Sequence, residues 1–331
     1  MRNLPALDEI LDNLHVVSLP MSVTFRGVMH REAALFEGPA GWGEFSPFLE
    51  YGAQEASAWL ASGIEAAWEG FPEPLRSQVP VNATVPAVPS SDVVRVLEKY
   101  DAHHTVKIKV AEKGQSLEDD VARVAEVRRL LPDAALRIDA NAAWSVPEAF
   151  EALQRLSDFE LQYAEQPVEG IEGLARVREM LRAAGDQTLI AADESVRKAT
   201  DPLAVARAGA ADLLIIKAAP LGGVRNALRV VAESGMPAVV SSALDTSVGL
   251  AAGVALAAAL PELPYACGLG TAALFTDDVA AQPMRAVGGA LDVRSVRPDP
   301  QRLRALAADA NTTERWRERI RAAYEILVNN S

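Results

Sequence analysis

The sequence predicts an α/β protein built around a (β/α)8 barrel, with a smaller α+β region ahead of it. Three observations carry this prediction. Eight short apolar, β-branched runs recur at regular intervals: 81–88 (VNATVPAV), 105–111 (TVKIKVA), 135–141 (ALRIDAN), 161–167 (LQYAEQP), 188–195 (TLIAADES), 213–219 (LLIIKAA), 237–243 (PAVVSSA) and 265–270 (YACGLG). Segments of helical spacing lie between them, as in 117–131, where Val121, Val124, Val127 and Leu131 repeat at three and four. The first 80 residues follow a different pattern. Strands alternating with helices argue for a parallel sheet, and eight strands close a barrel.

In chain order, 16–25 and 32–37 read as strands, 38–48 (GPAGWGEFSPF) as a Gly-rich stretch, and 54–70 as a helix. The Pro-rich stretch 71–80 is the boundary to the barrel. Residues 224–234 read as a helix stopped by Gly235-Met236-Pro237. The nearly apolar run 248–260 ends at Pro261; it is too short to span a bilayer and reads as a buried helix. Beyond the eighth strand, 288–296 suggests one more strand and 312–329 a charged amphipathic helix.

Composition narrows the function. Half of the 331 residues are hydrophobic and 23% are charged, a globular balance. Lys and Arg number 32 against 45 Asp and Glu, a net charge of −13 that argues against binding a phosphate backbone. One cysteine, Cys267, excludes an internal disulfide and a thiolate metal cluster. The acidic first residues lack an apolar signal core, so the expectation is a cytoplasmic protein with neither membrane nor nucleic-acid partners. No large exposed apolar stripe stands out, which is compatible with a monomer.

The chemistry is written on the strands, where residues two apart share a face. On the second run, Val106, Ile108 and Val110 fall on the helix side, and Lys107 and Lys109 on the barrel side. On the third, Arg137, Asp139 and Asn141 share a face. Glu165, Asp193 and Lys217 end the next three runs. Each of these sits at the C-terminal end of a predicted barrel strand, where barrel enzymes carry their active sites. Asp139, Glu165 and Asp193 form an oxygen-only set that favours Mg²⁺ or Mn²⁺ over zinc. Lys109 and Lys217, four strands apart in a ring of eight, should face each other across the metal. Such a set suits removal of a proton next to a carboxylate, with the cation stabilising the enediolate. Lys107 and the metal would both disfavour a charge on Lys109, leaving it partly neutral, as a base needs.

The motifs V-K-I-K-V (106–110), R-I-D-A-N (137–141), Y-A-E-Q-P (163–167), A-A-D-E-S (191–195) and I-I-K (215–217) resemble, in order and spacing, those of the enolase superfamily in its muconate-lactonizing-enzyme subgroup. The resemblance covers essentially the whole chain. It implies a (β/α)8-type, modified TIM barrel over 81–285, with an α+β capping domain formed by 1–80 and the C-terminal segment 286–331. It also implies Mg²⁺ on Asp139, Glu165 and Asp193, with Lys109 and Lys217 as the acid/base pair. Lys107, Arg137 and Asn141 would support them.

Within the subgroup, G-W-G-E-F-S-P-F (41–48), Arg137 and V-S-S-A-L-D-T-S-V-G-L (240–250) resemble the branch that dehydrates 2-succinyl-6-hydroxy-2,4-cyclohexadiene-1-carboxylate (SHCHC) to o-succinylbenzoate in menaquinone biosynthesis. The implied reaction is a syn elimination with Lys109 as base and then acid, and Lys217 as a stationary cation. Four inward cations (Lys107, Lys109, Arg137, Lys217) against three carboxylates, with the metal added, would suit a small dicarboxylate substrate. Loops 18–27 and 45–52 should reach over the barrel mouth, and Ser242 and Gly268 are candidate substrate contacts.

The same catalytic set serves N-acylamino acid racemases and dipeptide epimerases, so that alternative stays open. A Schiff-base aldolase would need one lysine and no acid triad. A non-catalytic barrel used for binding is the reading from a different class, and the intact lysine pair speaks against it.

Overall fold

A computed structural model of the chain describes residues 4–25, 28–197 and 201–330. After a short helix, Leu7–Asp12, the chain forms an antiparallel sheet of β1 (Leu14–Phe25), β2 (Val28–Gly38) and β3 (Gly41–Phe45), in that order. The third strand lies inside the stretch the sequence suggested was an irregular Gly-rich segment. Its Gly43 is there for close approach rather than for a turn. A Cβ at Gly43 would stand 2.1 Å from the Gly63 carbonyl oxygen, and one at Gly63 would stand 2.8 Å from the Glu44 carbonyl oxygen. Paired glycines therefore let the helix Ala53–Ile64 lie against β3 at a distance that side chains would forbid. That helix continues through one wide turn, Glu65–Glu69, to Gly70.

The chain then enters β4 (Gln78–Pro80) and the barrel strands β5 (Ala83–Val85), β6 (Thr105–Lys109), β7 (Ala135–Asp139), β8 (Leu161–Glu165), β9 (Leu189–Ala192), β10 (Leu213–Ile216) and β11 (Ala238–Val240). These last seven form one parallel sheet in sequence order. The eighth predicted strand, 265–270, is not a regular strand. Two isolated parallel bridges, Val81↔Cys267 and Ser241↔Gly268, join the sheet's edges through it. Gly268 and Gly270 permit this: a Cβ would meet Ser241 Oγ at 2.6 Å and the Asn82 carbonyl at 2.5 Å respectively. The ring is thus closed by a close backbone approach, with the Ser241 and Ser242 hydroxyls donating to the Gly268 carbonyl.

Helices cover the outside of the sheet. Ser116 and Asp119 form a capping box that starts the helix Leu117–Leu130. The apolar run near residue 250 is the helix Ser247–Ala259, buried over nearly its whole length. Among the described residues no helix is long and apolar enough to cross a membrane. The predicted strand at 288–296 shortens to β12 (Ala290–Asp292), which pairs antiparallel with β4.

The helix Ala310–Asn329 returns to the first sheet. Its Trp316, fully buried, meets Phe45 edge-on with centroids 5.7 Å apart and donates its indole N–H to Glu32 at 2.7 Å. Arg319 donates to the carbonyls of Phe48 and Tyr51, tying the C-terminal helix to the loop that overhangs the barrel.

Candidate active site

Strand register places the charged residues. Lys107 pairs with Arg137, Lys109 with Asp139, and Asp139 with Glu165. Lys109, Asp139 and Glu165 therefore stand in one row at the C-terminal edge of three adjacent strands. Asp193 and Lys217 follow the last residues of β9 and β10. All of these side chains are buried. Burying charge is costly unless it is paired, and here every charge finds a partner. Lys107 Nζ lies 3.2 Å from Asp139 Oδ2 and 3.1 Å from Glu165 Oε2. Lys109 Nζ lies 2.5 Å from Asp139 Oδ2 and 2.6 Å from Asn141 Oδ1. Lys217 Nζ lies 2.6 Å from Asp193 Oδ2.

These contacts decide protonation. Burial lowers the Lys109 pKa most, and the Lys107 ammonium lowers it further, against the opposing pull of Asp139. The sequence credited Lys107 and a metal with this; the structure ranks desolvation first. Lys107 also loses by burial, but Glu165 and Asp139 outweigh that and hold it protonated. Burial works against ionisation of Asp139, yet Lys109 and Lys107 keep it ionised. Glu165 is pushed up to about 7 by burial and by the Asp139 carboxylate.

Asp139, Glu165 and Asp193 offer oxygen donors only. Among the described residues, no three acidic, His or Cys side chains converge as a ready metal site, because the three carboxylates are turned onto Lys107, Lys109 and Lys217. The donor set nonetheless fits a hard divalent cation. Three carboxylates are buried on successive strands, and the raised Glu165 marks negative charge crowded there.

Lys109 and Lys217 line one cavity, together with Ser242, Gly268, Thr271 and Phe48. Ser242 Oγ lies 2.7 Å from Thr271 Oγ1 and 3.2 Å from the Gly268 carbonyl. The capping region, near its start, meets the barrel domain twice: Met21 bridges to Phe275, and Phe48 enters the cavity wall. Of the expected loop 18–27, residues 18–25 belong to β1 and 26–27 lie outside the described residues.

Arg137 requires a correction. Its Cα shares the row of Lys107, but it does not line the cavity that holds Lys109 and Lys217. It donates to the Ala266 carbonyl at 2.6 Å and to Gln162 at 2.9 Å, reaches Asn82 Oδ1 at 3.3 Å, and lies over the Tyr163 ring. Asn82 immediately precedes β5, so Arg137 plugs the barrel floor. A long side chain has left the level of its own backbone, and the count of inward cations beside the carboxylates falls to three.

Several residues escaped the sequence reading. Arg197, buried, donates from Nε to Asp193 Oδ1 at 3.1 Å, from Nη2 to Glu194 at 2.6 Å and from Nη1 to the Tyr51 hydroxyl at 2.9 Å. Asp193 thereby has both oxygens engaged, one by Lys217 and one by Arg197. The spacing of four between Asp193 and Arg197 was a usable signal; Tyr51 gave none.

The chain matches the enolase C-terminal domain-like family over residues 92–300 and the enolase N-terminal domain-like family over 16–67. It is 53% identical over 324 residues to a protein of Mycolicibacterium smegmatis named o-succinylbenzoate synthase, covering 98% of both chains. It is 52% identical over 326 residues to a protein of the same name from Mycobacterium marinum, covering 98% of this chain and 97% of that one. Among solved structures, muconate lactonizing enzyme from Pseudomonas fluorescens, complexed with muconolactone, superposes with a TM-score of 0.77 at 21% identity, covering 89% of this chain and 98% of the other. A dipeptide epimerase from Enterococcus faecalis superposes at 0.69 and 22% identity, covering 86% and 97%. At such identities the likeness is one of fold. The chain belongs to the enolase superfamily and, within it, to the o-succinylbenzoate synthase family.

Proposed function

We infer that this chain catalyses the syn dehydration of SHCHC to o-succinylbenzoate, a carbon–oxygen lyase reaction of menaquinone biosynthesis. The placement of Lys109 and Lys217 around one cavity carries the chemistry. The identity of 53% over nearly the whole chain carries the choice of substrate.

Lys109 is the base. Its burial favours the neutral amine, and Asn141 and Asp139 hold Nζ in place. It takes the proton from the ring carbon bearing the carboxylate. It then delivers that proton to the hydroxyl on the adjacent carbon, on the same face. The C–O bond breaks, water leaves, and the ring becomes aromatic. Lys217 stays a cation, held by Asp193, and stabilises the charge that develops on the substrate carboxylate. The family implies a divalent cation; Asp139, Glu165 and Asp193 would hold it, Mg²⁺ in this reading, and it would supply further positive charge at that carboxylate. Lys107 spans Asp139 and Glu165 and fixes their positions. Ser242 and Gly268 are the proposed substrate contacts on the barrel side. The reaction is assigned to the barrel, 81–285, with 1–80 and 286–331 as its cap.

The test is turnover of SHCHC, followed by loss of the diene's ultraviolet absorbance, with and without Mg²⁺ and with Lys109→Ala as control. Metal-dependent conversion that the substitution abolishes supports the reading. A folded, Mg²⁺-replete chain without conversion overturns it. α-Proton exchange on N-acylamino acids and dipeptides in deuterium oxide then tests the racemase and epimerase alternative.

A further inference from the structure

Two buried charges of the capping sheet reach into the barrel and take part in no step above. Arg31, on β2, donates from Nε to the Leu244 carbonyl at 3.0 Å and from Nη2 to the Ala243 carbonyl at 3.3 Å. Its guanidinium also lies over the Phe48 ring, 4.5 Å from the centroid. Glu44, on β3, accepts from the Thr246 hydroxyl at 2.6 Å and from the Gly249 N–H at 2.9 Å. Gly249 lies in the first turn of the helix Ser247–Ala259, whose leading N–H groups have no partner within the helix.

The groups match what they hold. The Arg31 cation binds carbonyl oxygens at one end of the segment, and the Glu44 carboxyl accepts from the positive end of a helix at the other, with burial and the Asp245 carboxylate between them pushing Glu44 up to about 7. Between them Leu244 has φ of +61°, a left-handed conformation that a leucine adopts only when its surroundings impose it. Gly249 is required at its place, because a Cβ there would stand 2.7 Å from the Glu44 carboxyl carbon.

The start of the segment so fixed, Ala243 and Leu244, forms part of the wall of the cavity that holds Lys109. Ser242, Ala243 and Leu244 line it, and so does Phe48, the ring beneath Arg31. We propose that Arg31 and Glu44 are positioning residues: by clamping 243–249 and Phe48 from the capping sheet, they set where the substrate lies relative to Lys109. The inference rests on the dehydration reading for the identity of that substrate. Substrate affinity thus depends on the docking of two regions far apart in sequence.

The experiment is steady-state kinetics with SHCHC on Glu44→Ala and Arg31→Lys, with calorimetric titration by the product o-succinylbenzoate. Circular dichroism checks folding. Losing uniform binding raises KM with little change in kcat, so KM should rise about tenfold while kcat stays within about threefold. Product affinity should fall in parallel. Glu44→Gln, which keeps an acceptor for the Gly249 N–H, should recover most of the loss. A folded Glu44→Ala with unaltered KM and product affinity, changed only in melting temperature, would overturn the proposal. Where Glu44→Ala does not fold, Gly249→Ala decides by pushing the Glu44 carboxylate from the opposite side. Failure of the unsubstituted chain to convert SHCHC would remove the dehydration reading itself, whereas normal turnover with unmoved KM in the variants removes only the clamp.

Discussion

Lys109 and Lys217 flank one cavity from strands four apart in the ring, and each ammonium rests on a different carboxylate, Asp139 at 2.5 Å and Asp193 at 2.6 Å. The two are not equivalent. Lys109 is also bound by the neutral Asn141 and has its pKa lowered by burial. Lys217 shares Asp193 with Arg197.

That asymmetry predicts unequal responses to an exchange of lysine for arginine. Arginine keeps the charge and cannot act as a base at ordinary pH. Lys109→Arg should lower kcat about 10²–10⁴-fold, the usual contribution of a general acid–base group. Lys217→Arg should keep more than about a tenth of wild-type kcat, because only its charge is used. Comparable losses in both, measured by SHCHC turnover, would mean that Lys217 also transfers a proton.

Removal of the cation should abolish turnover. Dialysis against a chelator is expected to eliminate SHCHC conversion, and added Mg²⁺ to restore it. Losing even a group that only supports a metal ligand typically costs 10–100-fold in affinity, so Glu165→Gln, which removes a proposed ligand's charge, should weaken Mg²⁺ binding by at least about tenfold in a calorimetric titration. Equal affinity in the variant would exclude Glu165 as a ligand.

Cys267 lies in the segment that closes the ring and is fully buried. Burial pushes its thiol up to about 12, since the thiolate is the form that loses solvation. Ionisation grows with pH, so at pH 8 only roughly one native chain in ten thousand carries the reactive thiolate. A chromogenic disulfide reagent should therefore label the native chain very slowly and report one thiol per chain after denaturation. Rapid native labelling would show that the closing segment opens.

Gly43→Ala tests the close contact of β3 and the helix Ala53–Ile64. The added methyl meets the Gly63 carbonyl at 2.1 Å, and backbone on both sides prevents local escape. Overpacking of this kind costs about 1–3 kcal/mol. A urea denaturation curve should show that loss at an unchanged m-value, and an unshifted midpoint would refute the contact.

The gathering of Asp139, Glu165, Asp193, Lys109 and Lys217 at one end of the sheet was legible because a parallel strand displays alternate residues to one side. Local rules failed where a residue's partner is distant in sequence. Gly43 stood only as one glycine of a Gly-rich stretch, and its constraint, the carbonyl of Gly63 on a facing helix, was out of sight. The eighth strand looked regular, yet it contributes only two bridges. Arg137 shared a face with Asp139 on paper, but a flexible side chain carried its charge to the barrel floor.

The sequence by itself determined the alternation of strands and helices, the row of charged residues at the strand ends and the family to which they point. These follow from periodicity and from the chemistry of individual side chains. Only the tertiary structure decided which charge meets which. It placed Arg197 on Asp193 and brought Arg31 and Glu44 to a segment some two hundred residues further along. The physical reason is that buried charges and helix ends must be satisfied by whatever group packing brings within hydrogen-bond distance, and sequence distance does not enter that requirement.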